Sequence, residues 1–227
     1  MNPSSARKVS RRHRVFIVDD HPLVRESLTI LIQRRPDLEV CGEAEDAGTA
    51  LPSILRRLPD VAIVDLTLKG TSGLDLIKEL RARHASIRIL VLSMHEGAEY
   101  AERAFRAGAR GYVMKRESTG QVIDAIYEVL RGNVYVSQKL VTGLGERAVD
   151  RASGRRLSVA ELLSDRELEV FRLLGAGVET RQIAERMKLS MKTVQCYAAR
   201  VKEKLNLDNA TELMREAVRW TDVEKLS

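Results

Sequence analysis

The chain lacks most of what would mark it as secreted, membrane-bound or metal-stapled. Its two cysteines, Cys41 and Cys196, stand far apart and share no motif. That argues against a disulfide framework or a thiolate metal site and suits a reducing cytoplasm. Cys41 reads as buried filler. No apolar run approaches the roughly 18 residues a membrane span needs. The N-terminus has no apolar signal-peptide core, so no secretory leader is expected. No G-x-G-x-x-G follows the first strand, which disfavours a dinucleotide site.

What is there is ordinary in bulk and uneven in detail. The 227 residues are 44% apolar and 31% charged, as in globular proteins, and suffice for two domains. The net charge of +6 is not spread evenly. Arg7, Lys8, Arg11 and Arg12 meet no acid in residues 1–12, which read as a disordered basic arm. Residues 181–204 hold seven Lys/Arg against Glu185 and Glu203. Such a stripe is either a solvated helix face or an electrostatic footprint for nucleic acid.

Between residues 13 and 132 the pattern alternates short apolar strands with helices. Strands are expected at Arg14–Val18, Leu38–Ala44, Val61–Val64, Ile87–Leu92 and Gly111–Met114. Helices follow each, opened by Pro22, Asp46, Ser72, Glu96 and Ser118. Five strands alternating with five helices imply an α/β domain with a parallel sheet covered on both faces. In such sheets chemistry gathers beyond the carboxyl ends of the strands. Those ends present Asp19, Asp20, Asp65, Ser93 and Lys115. Three clustered carboxylates call for a hard divalent cation, and Mg²⁺ with its oxygen ligands fits. A lysine and a hydroxyl opposite could grip phosphoryl oxygens. Asp65, its charge offset, could attack phosphorus and form an acyl phosphate.

Residues 133–160 read as a linker, with Val134, Tyr135 and Val136 packed back on the first domain and a short helix over Val141–Arg147. Beyond it, Ser164 and Glu167 form a capping box ahead of an apolar-striped helix. A short helix over Thr180–Met187, a turn and a Ser190-capped helix to about Leu205 make a helix-turn-helix. A last helix carries Leu213, Met214, Ala217 and Val218; its apolar face serves either a dimer or its own core. The second domain, residues 161–227, is therefore all-α with four helices. The exposed side of the longer helix, with Lys192, Gln195, Ala199, Arg200 and Lys202, has major-groove geometry.

Residues 13–132 resemble the receiver domain of bacterial two-component response regulators. The match rests on Asp19-Asp20, Asp65-Leu66…Gly73-Leu74, Ser93, and Ala107-Gly108-Ala109-Arg110-Gly111-Tyr112 leading to Lys115. The strings Leu163-Ser164-Asp165-Arg166-Glu167-Leu168-Glu169-Val170, Gln182-Ile183-Ala184, Lys192-Thr193-Val194 and Lys204-Leu205 resemble the LuxR-type DNA-binding domain. Together the chain resembles a NarL/FixJ-type response regulator.

The resemblance implies that Asp65 is the phosphoacceptor and that Asp19, Asp20, Asp65 and the main-chain carbonyl of Thr67 hold Mg²⁺. It implies that Ser93 and Lys115 read the phosphoryl oxygens and that Tyr112 is a switch aromatic; a half-buried strand tyrosine is the equal alternative. Gln195, Cys196 and Ala199 would face base edges, with Lys192, Thr193 and Arg200 near phosphates; Lys202 joins the DNA-binding set as an exposed basic residue of the same helix. For Cys196 and Ala199, simple helix filler is an equal reading. The implied partners are double-stranded DNA, a sensor histidine kinase or phosphotransfer protein, RNA polymerase, and a second copy of the chain once phosphorylated.

Two positions depart from the family pattern: Arg116 stands where many receivers have Pro, and Lys69 does likewise. His95, two positions past Ser93, reads first as a plain surface residue; tuning of phosphoryl lifetime is the alternative. An aspartyl-phosphate phosphohydrolase would carry a second Asp where His21 stands, so the chain is not expected to be an enzyme. A regulator that binds DNA without phosphorylation, its receiver serving only to dimerise, is the remaining alternative.

Overall fold

A computed structural model describes residues 11–68, 71–95, 97–152, 159–187 and 189–226. Most of the expected basic arm, the position of Lys69, the Lys188 turn and the glycine-containing stretch 153–158 lie outside them.

The chain opens with β1 (His13–Val18), α1 (Pro22–Gln33), β2 (Leu38–Ala44), α2 (Ala47–Arg57) and β3 (Val61–Val64). Pro22 starts α1 at a position where its missing N–H costs nothing. Asp46 caps α2 by accepting from the Thr49 amide at 2.9 Å. After β3 come a two-stranded hairpin, β4 (Thr67–Leu68) and β5 (Thr71–Ser72), and then α3 (Gly73–Arg83), β6 (Arg88–Ser93) and α4 (Ala98–Ala107). Gly108, at φ 114°, ends α4 in the left-handed region that glycine enters without strain. The domain closes with β7 (Gly111–Met114) and α5 (Thr119–Leu130), the latter opened by a Ser118–Gln121 capping box.

The sheet is wholly parallel, in the order β2-β1-β3-β6-β7 followed by a short sixth strand, β8 (Tyr135–Val136). Strand alternation sorts its side chains onto two faces. Val15, Ile17, Ile63, Leu90 and Val113 bury against α1 and α5. Phe16, Val18, Ala62, Val64, Ile89 and Val91 bury against α2, α3 and α4. The chain leaves β1 toward β2 on one side and returns to β3 on the other. The crevice where the order reverses opens between the carboxyl ends of β1 and β3.

The linker is more structured than its sequence suggests. β8 (Tyr135–Val136) adds a sixth strand beside β7, and α6 (Gln138–Ala152) runs well past the expected Val141–Arg147. Tyr135 donates its amide to the Arg110 carbonyl at 3.0 Å. Leu140 is buried, and α6 lies on α4 closely enough that a Cβ on Gly143 would meet that of Ala98 at 3.0 Å. Gly143 thus lets two helices approach, whereas a Cβ on Gly145 would meet nothing within 4 Å.

The second domain is α7 (Val159–Leu162), α8 (Asp165–Gly175), α9 (Thr180–Met187), α10 (Met191–Leu205) and α11 (Ala210–Leu226). Both arms of the Ser164–Glu167 capping box are made, and Lys204 from α10 adds a 2.5 Å ion pair to Glu167. Leu168, Val170, Phe171, Ile183, Val194, Val201, Leu213 and Ala217 form the core. Gly175 lets α11 pass: a Cβ there would meet the Ala217 carbonyl oxygen at 2.2 Å.

Candidate functional site: an acidic pocket and a docked helix-turn-helix

The five strand-end residues converge. Asp19 follows β1, Asp65 follows β3, Ser93 ends β6 and Lys115 follows β7, so the parallel sheet itself delivers them to one edge. Asp19 and Asp65 are buried at 2% and 3% exposure, and Ser93 is fully enclosed. The Lys115 ammonium lies 2.6 Å from Asp19 Oδ2 and 2.8 Å from Asp65 Oδ2. Burial pushes the Asp65 carboxyl up to about 6, against the pull of Lys115. Burial alone would lower the Lys115 ammonium, but Asp65 and Asp19 raise it above its ordinary value.

Ligand atoms of Asp19, Asp20, His21 and Asp65 all lie within 4.8 Å of one another. Three carboxylates at that spacing suit a hard divalent cation. His21 was read only as the residue that rules out a hydrolase. It proves to brace the pair, its Nδ1 2.8 Å from Asp20 Oδ1 and its amide 2.9 Å from Asp19 Oδ1. The Thr67 amide donates to Asp65 Oδ1 at 3.3 Å, which keeps the Thr67 backbone beside the pocket. The loop after Asp65 is pinned by Gly73, whose amide donates to the Leu66 carbonyl at 2.9 Å. A Cβ on Gly73 would come within 2.0 Å of the Asp65 carbonyl oxygen, so only glycine lets α3 start this close. Among the described residues no peptide bond is cis.

Two expectations need correction. Tyr112 is not half-buried: it is fully enclosed and donates its hydroxyl to the His95 carbonyl at 2.8 Å. His95 is not a surface residue. It is 8% exposed, stacks on Tyr100 with centroids 4.1 Å apart, and places Nε2 3.2 Å from Glu169 Oε2. Burial alone would raise the Glu169 carboxyl; hydrogen bonds and charge from His95 and Arg172 instead hold it down at about 2. Glu169 sits on α8, so this contact joins the two domains. Asp165 joins them again, paired to Arg103 on α4 and lying 3.8 Å from Lys78 on α3. Nothing periodic in the sequence marks these residues; the hint was a histidine two positions past a buried serine.

The helix-turn-helix places its expected contact residues unequally. Lys192, Gln195, Cys196, Ala199 and Arg200 are exposed on α10, while Thr193 and Lys202 are half-buried. Ser190 accepts from the Thr193 amide at 3.0 Å, and the Thr193 hydroxyl is 2.8 Å from that of Ser190, so Thr193 is engaged in the cap. Arg200 and Tyr197 line a cavity of about 710 Å³ between α10 and the α3–α4 face of the first domain. The receiver therefore stands beside part of the helix that would enter a groove.

A lysine-closed acidic pocket at the switch point of a parallel sheet, joined to a capped helix-turn-helix, defines a receiver coupled to an output domain. Comparisons with known proteins agree. The family described as response regulator receiver domain matches residues 15–127, and that described as bacterial regulatory proteins, luxR family, matches residues 161–217. The chain is 32% identical over 210 residues to the oxygen regulatory protein NreC of Staphylococcus carnosus, covering 91% of this chain and 97% of that one. It is 38% identical to a LuxR-family two-component response regulator from Aurantimonas sp., with a TM-score of 0.59 over 61% of this chain and 99% of that one. A structure of two RcsB dimers bound to two parallel DNAs is 27% identical, with a TM-score of 0.54 over 90% of this chain and 97% of that one. The chain belongs to the NarL/FixJ-type two-component response regulators, with a LuxR-type helix-turn-helix domain.

Proposed function

We propose that a sensor histidine kinase or phosphotransfer protein transfers a phosphoryl group to Asp65, and that this controls sequence-specific binding of double-stranded DNA and so transcription. The convergence of Asp19, Asp20, Asp65, Ser93 and Lys115 at one sheet edge carries the reading. Its supports are the family, the DNA-bound RcsB relative and the exposed face of α10. The working boundaries are 13–132 for the receiver, 133–160 for the linker and 161–227 for the DNA-binding domain, in a cytoplasmic protein that dimerises when phosphorylated.

Asp65 attacks phosphorus through a carboxylate oxygen; the P–N bond to the donor histidine breaks, and its electron pair leaves with the imidazole, which takes up a proton. Asp19, Asp20, Asp65 and the Thr67 carbonyl are the residues that would hold Mg²⁺, which when bound offsets the carboxylate charge and polarises the phosphoryl oxygens. Lys115 pairs with a phosphoryl oxygen, and the Ser93 hydroxyl donates to another. The phosphoryl group brings about two negative charges where a carboxylate had one.

On DNA, Gln195, Cys196 and Ala199 face base edges and Lys192, Thr193, Arg200 and Lys202 lie toward phosphates; Arg200 reaches them only after leaving the cavity beside α4. Beryllofluoride with Mg²⁺ is expected to tighten binding to a selected operator, and log K is expected to fall linearly with log salt. Affinity indifferent to both would defeat the reading. Lys192→Ala is expected to weaken binding to all duplexes alike and to reduce the salt slope by about one. Titrations against operator and scrambled duplex check this, and a loss restricted to one base pair would contradict a phosphate contact.

A further inference from the structure

His95 stands where the phosphorylation pocket, the hydrophobic face of α4 and the DNA-binding domain meet. Its amide donates to Ser93 Oγ at 3.2 Å, and its carbonyl accepts from Tyr112. Its ring lies on Tyr100. Its Nε2 is 3.1 Å from Thr67 Oγ1 and 3.2 Å from Glu169 Oε2. Thr67 donates its amide to Asp65 and Ser93 ends the neighbouring strand; Glu169 comes from α8 of the other domain.

This arrangement constrains the pocket. The Ser93 hydroxyl oxygen accepts from the His95 amide, which ties the hydroxyl to the turn. Its own hydrogen is not used in that bond and can be donated to a phosphoryl oxygen; any shift of Ser93 toward Asp65 either releases the amide or draws the 93–95 turn with it. The turn cannot follow while its imidazole is gripped by a carboxylate set in another domain. A ring nitrogen carries at most one hydrogen, so what Nε2 gives to Glu169 it shares with or withholds from Thr67.

We propose that Glu169 is a positioning residue of the phosphorylation pocket, supplied by the DNA-binding domain: by holding His95 it keeps the Ser93–His95 turn in an arrangement that disfavours a phosphoryl group on Asp65. The inference rests on Asp65 being the phosphoacceptor. Linkage makes the effect reciprocal, so a phosphoryl group loosens the α8 contact by the same factor. The Arg103–Asp165 pair fastens the same two domains without touching the turn, and so provides a control.

The experiment measures affinity of the full chain for beryllofluoride in Mg²⁺ by fluorine NMR. Wild type should bind and Asp65→Asn should not; equal binding by Asp65→Asn would sink the phosphoacceptor reading itself, a separate result. Glu169→Ala should bind about tenfold tighter, within the range usual for coupled sites. Glu169→Gln, which keeps an acceptor oxygen without the charge, should fall between. In a His95→Ala background Glu169→Ala should add nothing, and Arg103→Ala, which loosens the same docking without touching the turn, should add nothing either. Unchanged affinity in Glu169→Ala, or the same gain with and without His95, would overturn the proposal and leave Glu169 as a docking contact only.

Discussion

Asp65→Asn is expected to abolish labelling by acetyl phosphate in the presence of Mg²⁺, with no incorporation above background. Asparagine keeps the size of the side chain and one oxygen, but its amide cannot form a stable acyl phosphate. Asp19, Asp20, Ser93 and Lys115 all remain, so the loss isolates the nucleophile from its surroundings. The fold should survive the change. Burial lifts the Asp65 carboxyl to about 6, above its value in an unfolded chain. A group shifted in that direction holds its proton more tightly in the native state than in the unfolded chain, so ionising it works against folding at neutral pH. A neutral isostere removes that cost. Phosphoprotein gels on wild type and variant decide the matter, with melting curves alongside; equal label in the asparagine variant would transfer the acceptor role to another residue.

Phe171→Ala is expected to remove DNA binding while leaving phosphorylation intact. Phe171 is fully buried on α8 and tilts against Trp220 of α11, with ring centroids 5.8 Å apart. Truncating a core phenylalanine costs about 3–5 kcal/mol. A domain of roughly 60 residues has about one such sum to lose, since natural stabilities run near 0.05–0.15 kcal/mol per residue. The α1–α5 face of the first domain's sheet has a core of its own, and the strands that carry Asp19, Asp65 and Ser93 are anchored in it, although the α2–α4 face runs on into the cluster that holds Phe171. Calorimetry should show the second domain's transition lowered or lost, and acetyl phosphate should still label Asp65. Full operator affinity with an unshifted transition would mean that the α8–α11 contact contributes little.

Much of the receiver was legible because its information is local. Val61–Val64 reads as a buried strand from four apolar residues in a row, and the structure leaves all four buried. Pro22, Asp46, Ser118, Ser164 and Ser190 announce helix starts through the hydrogen bonds their backbones lack or their side chains accept. The linker was read less well. Gly143 looks like a breaker when only chain flexibility is weighed, but it is the residue that lets α6 lie against Ala98 of α4. Tyr135 and Val136 do pack back on the first domain as their apolar character suggests, but that they do so as a strand is not legible: two residues carry no period, and β8 exists only where the exposed edge of β7 offers unpaired backbone groups.

By itself the sequence determined the alternation of strands and helices, the strand-end carboxylates with their lysine and serine, and the capped helix-turn-helix. Each follows from neighbouring residues or from spacing along one element. Only the tertiary structure decided that His95 is buried, that Glu169 reaches it from the second domain, and that Arg200 faces a cavity against the receiver. Those outcomes depend on how two separately folded surfaces meet. A hydrogen bond across such a seam joins side chains far apart in the chain, and nothing in the periodicity of either surface records its partner.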